Sequence, residues 1–256
     1  MKMPRNEFKA RLREPHAAPQ FGLWVSLADA VAAEIASVAG FDWIVIDGEH
    51  SPNDIGSTLT QLQAAYGYDA SPIVRPPEGS TVLIKQLLDI GAQTLLIPMV
   101  NTPEQAEQLV AATRYPPRGV RGVASARSAR WGQVEDYWAK ADDEVCLIVQ
   151  IETLEGLDNL EAIAAVDGVD ALFIGPSDLG AALGHLGNVG HPDVIAAVTD
   201  ALSRIAATGK PGGVLTLQPD VARGYMDAGA SFVAVGVDTV LLARAAQGLV
   251  EEFKNP

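Results

Sequence analysis

Short, continuously apolar runs bounded by turn residues recur along the chain and alternate with segments of helical period. The runs open at Gln20, Phe41, Ser71, Gln93, Val145, Val169, Pro211 and Ala230, which makes eight candidate strands. Between and after them lie capped segments with apolar residues three and four apart, at 29–38, 53–65, 80–89, 102–112, 154–165, 192–207, 219–227 and 239–253. Gly40, Gly91, Gly168, Gly209 and Gly229 follow such segments, where a helix C-terminus favours glycine. Strands that are apolar on both faces and separated by helices belong to a covered parallel sheet. Eight such units in this length predict a (β/α)8 TIM barrel, an α/β fold, formed as one domain over residues 1–256. An open doubly wound sheet is the alternative, but no Gly-x-Gly-x-x-Gly follows the first strand, so a dinucleotide site has no support.

One segment breaks the rhythm. Residues 114–131 run Arg-Tyr-Pro-Pro-Arg-Gly-Val-Arg-Gly-Val and on to Trp131 before a short helix expected at 134–140. Loops of this length are usually functional or disordered, and its arginines are candidates to bind an anion or a neighbouring subunit, with a solvated surface loop as the plainer reading.

Composition narrows the partners. A 48% hydrophobic chain of 256 residues can bury a sizeable core. A formal net charge of −14 repels phosphate backbones and anionic membrane surfaces, so neither nucleic acid nor membrane is an expected partner. Cys146 is the single cysteine and sits inside an apolar run, which excludes a disulfide framework and fits a reducing compartment. With a polar start, no secretory leader and no spanning segment, a cytoplasmic location is expected.

The candidate chemistry lies where apolar runs end. Residues 41–50 finish in Asp47-Gly48-Glu49-His50, residues 145–153 in Gln150-Ile151-Glu152-Thr153, and residues 169–178 in Gly175-Pro176-Ser177-Asp178. A desolvated carboxylate is unfavourable unless a cation or hydrogen bonds compensate it, and a barrel gathers its strand C-termini on one rim. Period two puts Gln150 and Glu152 on one side of their strand. Glu152 and Asp178 can thus share one cation; oxygen ligands suit Mg²⁺ or Mn²⁺ better than zinc, and Co²⁺ is the further metal expected to support activity. Helix N-caps or ion pairs are the competing explanation for both acids. His50 is the one histidine directly after a strand, a natural general base with Asp47 beside it, although a turn role would also suit it. Arg75, at a strand end before Pro76-Pro77, can hold a carboxylate or enolate oxygen. Every lysine lies in a helical or terminal segment or before a strand, so Schiff-base chemistry lacks its nucleophile. Carbanion chemistry here would be metal-assisted.

Taken together, residues 41–50, Lys85-Gln86-Leu87-Leu88-Asp89, residues 114–122, 149–153, 173–179 and Val235-Gly236-Val237-Asp238 resemble the HpcH/HpaI aldolases, class II pyruvate aldolases, over nearly the whole chain. The resemblance implies a barrel whose final helix is swapped between subunits of a homo-hexamer, a trimer of dimers. It implies reversible aldol addition of pyruvate or hydroxypyruvate, a 2-oxo acid, to an aldehyde. By the same resemblance Glu152 and Asp178 are the metal ligands, and Gln150 orients water or substrate. His50 with Asp47 is the base, and Arg75 binds the keto or enolate oxygen. The backbone of Gly175, Pro176 and Ser177 cradles the donor carboxylate. Leu217 lies near the acceptor, and Asp89 is presented to a neighbouring subunit. The branch acting on 2-keto-3-deoxyglucarate, a related CoA-ester lyase and a catalytically silent barrel are the other readings; residues 126–131 look more like the heptanedioate and hydroxypyruvate branch.

Overall fold

A computed structural model describes residues 1–254 of the chain. Eight parallel strands close into a barrel in sequence order: β1 Gln20–Val25, β2 Trp43–Asp47, β3 Ser71–Arg75, β4 Thr94–Ile97, β5 Cys146–Ile151, β6 Ala171–Ile174, β7 Gly212–Leu215 and β8 Ala230–Val237. This is the predicted TIM barrel, and the eight expected runs are its eight strands. The helices are α1 Glu7–Leu12, α2 Ala30–Val38, α3 Ile55–Ala64, α4 Thr81–Asp89, α5 Pro103–Thr113, α6 Tyr137–Lys140, α7 Leu154–Asp158, α8 Leu160–Ala164, α9 Pro176–Ala182, α10 Pro192–Ala207, α11 Pro219–Asp227 and α12 Asp238–Lys254.

Alternation along each strand separates two cores. One face packs outward against the helices, with Ile44, Val74, Leu95, Leu147, Val149, Ile151, Leu172 and Val233 buried there. The other fills the barrel interior with Trp24, Trp43, Val45, Ile73, Leu96, Cys146, Ile148, Phe173 and Phe232. Gly22 makes room for this: a Cβ there would stand 2.3 Å from the Trp43 indole, so only a glycine lets that ring lie across the interior. In β2, β3 and β5 the inward row passes from apolar residues to charged or polar ones at the C-terminal end. Trp43 and Val45 lead to Asp47, Ile73 leads to Arg75, and Cys146 and Ile148 lead to Gln150 and Glu152. Register places Asp47 directly beside Arg75, and Gln150 beside Phe173.

Four local features depart from the pattern-based expectation. Helix α1, capped by Asn6, which accepts from the Lys9 amide, drives Phe8 into the N-terminal mouth of the barrel, 5.4 Å from Phe232 and 6.1 Å from Trp43 between ring centres. The expected helix at 154–165 breaks into α7 and α8 at Asn159, whose side chain donates to the Asn101 carbonyl at 2.8 Å. The expected 134–140 helix shrinks to α6 because Asp136 takes left-handed φ of 54°. Asp178 lies in the short helix α9, where the sequence pattern marks no helix.

The arginines of 114–131 serve internally in the single chain. Arg118 pairs with buried Asp142 at 2.8 Å. Arg114 donates to the Asp142 carbonyl at 3.0 Å. Arg121 lies 4.4 Å over the Tyr115 ring and contacts Asp89 at 3.4 Å.

Helix α12 is the exception to the packed shell. Every residue from Leu241 to Lys254 is exposed, including Leu241, Leu242, Leu249, Val250 and Phe253. Its principal contacts are at its root, with β1 and β8. The outer faces that a barrel's last helix would cover stay uncovered in one chain, with Phe21, Val31, Ile35 and Val235 exposed. Among the described residues no helix is long and apolar enough to cross a membrane.

Candidate active site

The inward strand ends of β2, β3 and β5 and the start of α9 build one cluster. Asp47 takes Arg75 in a fork: Nε donates to Oδ1 at 2.9 Å and Nη2 to Oδ2 at 2.8 Å. Both side chains are almost fully buried. The remaining terminal nitrogen of Arg75 stands 2.7 Å from Glu49 Oε2, and the guanidinium carbon lies 4.9 Å above the Trp24 ring. Arg75 is thus fixed by two carboxylates and an aromatic face, which costs little reorganisation when a third partner arrives. Its five N–H groups exceed these three contacts, so donors remain for a ligand oxygen.

Gly48 turns the chain at the top of β2. Its amide donates to the Arg75 carbonyl at 2.7 Å, and a Cβ there would meet the same carbonyl at 2.8 Å. The turn is then held from beneath by Asp47 Oδ1, which accepts from the Glu49 amide at 3.0 Å and the His50 amide at 3.5 Å. His50 projects outward, with its ring 65% exposed and Nε2 3.7 Å from Glu49 Oε1. Asp47 therefore supports His50 through its backbone; the carboxylate facing the imidazole is Glu49. Glu49 carried no role of its own in the sequence reading. Its signal was its place in an acid-glycine-acid-imidazole turn, and only the fold shows that it faces both Arg75 and His50.

Glu152 is buried just past β5. Oε1 accepts from the Met99 amide at 2.8 Å and Oε2 from Gln150 Nε2 at 2.5 Å. Met99 presents that amide by adopting φ of 58° at the end of β4, a contribution no sequence pattern announced. Gly175 closes over the carboxylate: a Cβ there would stand 2.3 Å from Glu152 Oε2 and 2.8 Å from Gln150 Nε2. Glycine at 175 is thus a condition for Glu152 to sit where it does. The chain then enters α9 with Pro176 at its first position, a place that needs no amide donor. Ser177 and Asp178, in the first turn of α9, are exposed.

Charge at the cluster is out of balance. Burial pushes Glu152 from 4.5 up to about 7, reinforced by the charges of Asp178 and Glu49 and opposed by the Met99 and Gln150 hydrogen bonds. Burial also raises Glu49, against the pull of Arg75 and His50, with Asp47 and Asp178 adding to the rise. Asp47 goes the other way: burial would raise it, but the Arg75 hydrogen bond and charge and the Glu49 and His50 amides hold it below its ordinary 3.8. Four acids, Asp47, Glu49, Glu152 and Asp178, thus stand at this rim with one arginine, which pairs with Asp47 and Glu49 and leaves buried Glu152 without a cation of its own. Gln150 Oε1 is buried with no hydrogen-bond partner. An all-oxygen donor set, an orphaned amide oxygen and a carboxylate held near neutrality fit a hard divalent cation.

The remaining candidates lie apart. Leu217 lines a shallow cavity of about 240 Å³ with Phe21, Met226 and Val235, near the strand faces that α12 leaves uncovered. Asp89, at the end of α4, belongs with Arg121 and Tyr137. Lys9 donates to the Val145 carbonyl and pairs with Asp170, and Lys210 donates to the Val169 carbonyl, both at the N-terminal ends of β5 and β6 and away from the cluster.

Residues 20–245 match the family model described as HpcH/HpaI aldolase/citrate lyase. A relative from Pseudomonas aeruginosa named hydroxypyruvate/pyruvate aldolase is 57% identical over 100% of this chain and 95% of its own length. One of the same name from Deinococcus radiodurans is 62% identical over 93% of this chain and 86% of its own. The crystal structure of a HpcH/HpaI aldolase/citrate lyase family protein from Burkholderia cenocepacia superimposes with a TM-score of 0.92 at 41% identity, covering 98% of this chain and 100% of that one.

Proposed function

The chain belongs to the HpcH/HpaI aldolase/citrate lyase family, and from that premise we propose that it is a class II aldolase joining pyruvate or hydroxypyruvate to an aldehyde, and reversing that step, with a divalent cation. The observation that carries this reading is the buried rim cluster itself: a clamped guanidinium beside an undercompensated carboxylate, with an imidazole at its mouth. The names of the relatives support the donor pair.

Glu152 and Asp178 would hold the cation, with Gln150 Oε1 free to orient a water or the donor. When bound, Mg²⁺, Mn²⁺ or Co²⁺ supplies Lewis-acid polarisation of the 2-oxo acid and offsets the charge that develops on its oxygen. Arg75, already oriented by Asp47 and Trp24, donates to that keto oxygen, and its hydrogen bonds strengthen as the oxygen becomes an enolate. At the Gly175-Pro176-Ser177 turn the donor carboxylate is received by the Ser177 amide with that of Asp178, first-turn amides of α9 that have no carbonyl within the helix, since the Gly175 amide donates to the Ile151 carbonyl at 3.0 Å and Pro176 has no N–H. His50 removes a proton from the donor C3 to give the enolate. The enolate carbon attacks the aldehyde carbon, and the new alkoxide takes a proton back from the imidazolium. Cleavage runs through the same groups in reverse. Lys9 and Lys210 lie at the far ends of the strands and Lys85 and Lys140 in helices, which agrees with a mechanism that forms no Schiff base.

Deuterium exchange into the C3 position of pyruvate and hydroxypyruvate tests the reading, followed by a panel of aldehydes. Exchange is expected to vanish after chelation and return with Mg²⁺, Mn²⁺ or Co²⁺. Full exchange in excess EDTA, or a borohydride-trapped lysine adduct with pyruvate, would overturn it.

The same reading extends to assembly: α12 of one chain covers the Phe21, Val31, Ile35 and Val235 faces of a second, within a homo-hexamer. The support is an amphipathic helix standing free beside an uncovered part of its own barrel.

A further inference from the structure

The loop from α9 to α10 carries a second cluster of ligand-type side chains, chemically unlike the rim cluster. His185, His191 and Asp193 each offer a donor atom within 4.8 Å of the others, the one such trio among the described residues. His185 Nε2 lies 3.1 Å and His191 Nδ1 3.6 Å from the same oxygen, Asp193 Oδ2. The two imidazoles stack with centres 3.6 Å apart and planes 15° from parallel. Donors about 2.0–2.1 Å from a tetrahedral zinc sit roughly 3.3–3.4 Å from one another. The two measured separations bracket that edge length; because imidazole lone pairs lie in the ring planes, one of the two rings must turn out of the stack for both nitrogens to face one ion, a rotation that the partial exposure of both rings permits.

The backbone holds this arrangement. The His185 amide donates to the Gly180 carbonyl at 2.8 Å, the Asn188 amide to the His185 carbonyl at 3.0 Å, and the His191 amide to the Asn188 carbonyl at 3.0 Å. Gly184 and Gly187 take the positive φ values, 86° and 75°, that these tight turns demand. His191 also caps α10: its Nδ1 accepts from the Asp193 amide at 3.2 Å, so that nitrogen is unprotonated, as a metal ligand must be. Coordination would replace this long cap bond. The trio is partly exposed, which gives an ion access and leaves a coordination position for water.

We propose that His185, His191 and Asp193 form a binding site for a borderline divalent cation, Zn²⁺ above all, distinct from the oxygen site at Glu152 and Asp178. Two imidazoles and one carboxylate select zinc, nickel or copper over magnesium or manganese, whereas the rim offers oxygens only. The ion would tie the loop after α9, which carries Asp178, to the first turn of α10.

Zinc titration of the tag-free, chelator-stripped full chain tests this by calorimetry, with the rim ligands removed as Glu152→Gln with Asp178→Asn. One Zn²⁺ per chain is expected in that background, with Mg²⁺ giving no heat. Adding His185→Ala, which leaves the α10 cap in place, should weaken zinc by at least about tenfold. Co²⁺ in the same background should show the intense visible absorption of a tetrahedral site, lost with His185→Ala. No zinc binding in the rim-deleted chain, or binding that His185→Ala leaves unchanged, would overturn the proposal. Because the readout is binding in a chain lacking the rim ligands, it stands or falls independently of the aldolase reading.

Discussion

Glu152→Gln should make the metal-free protein more stable at alkaline pH. Glu152 is buried, and its carboxyl is held at about 7 against an ordinary 4.5. A group whose folded value is raised contributes full stability below 4.5 and loses it as pH climbs to about 7. Above that the folded chain carries an ionised carboxylate it solvates poorly. The difference of about 2.5 pH units at 1.36 kcal/mol each amounts to about 3 kcal/mol. A neutral glutamine escapes that loss, and the local hydrogen bonds can be kept. Its Oε1 can still accept from the Met99 amide, while Gln150, whose Oε1 is without a partner, can turn its amide and accept from the new Nε2.

Urea unfolding in EDTA at fixed protein concentration is the assay. At pH 8 the variant is expected to exceed the parent by about 3 kcal/mol, or roughly 6–12 °C in melting temperature for a chain of this size. At pH 5 the gap should shrink to roughly a quarter of that. Saturating Mn²⁺ should stabilise the parent, since binding to the folded state adds RT ln(1 + [L]/Kd), and leave the variant unmoved. A variant less stable than the parent at pH 8, or a gap equal at both pH values, would refute the assignment of Glu152 as an undercompensated carboxylate.

His50→Ala should abolish C3 exchange with the fold intact, because its ring is 65% exposed; unchanged exchange would displace it as the base. Arg75→Ala should cripple exchange and also destabilise the chain by about 3–5 kcal/mol, since it leaves Asp47 buried and unpaired. Arg75→Lys, which keeps the charge and loses the fork, separates the two effects: near-native unfolding with strongly reduced exchange is expected. Gly175→Ala should weaken Mn²⁺ binding at least about tenfold by displacing the Glu152 carboxylate, as read by calorimetry. Light scattering at micromolar concentration should report a hexamer, and Leu241→Glu with Leu249→Glu on α12 should shift it toward smaller species; a wild-type monomer would reject helix exchange.

The barrel was legible because its information is local. Each buried strand is a largely apolar run, several helices begin with a capping residue such as Asp29, Asp54, Ser80 or Thr102, and the structure shows all four accepting from first-turn amides. The rim was legible for a related reason. A strand that continues inward past its apolar residues must end in something, and Asp47, Arg75, Gln150 and Glu152 interrupt their runs in the inward register. What was not legible depends on contacts across the barrel. Trp24 looks like any core residue until Arg75 lies over it. The Met99 amide serves Glu152 only because of a backbone angle. Glu49, rather than Asp47, faces the His50 ring because the fork with Arg75 takes both Asp47 oxygens. The arginines of 114–131 were candidates for an anion or a neighbouring subunit, with a solvated loop as the plainer reading, but buried acceptors such as Asp142 claim Arg118 and Arg114. That last case and Glu152 are mirror images. A cation with a buried acid beside it, Arg118 on Asp142, contributes to the fold. A buried acid without one, Glu152, is poorly compensated in the fold alone, and that is the imbalance the proposed cation would relieve.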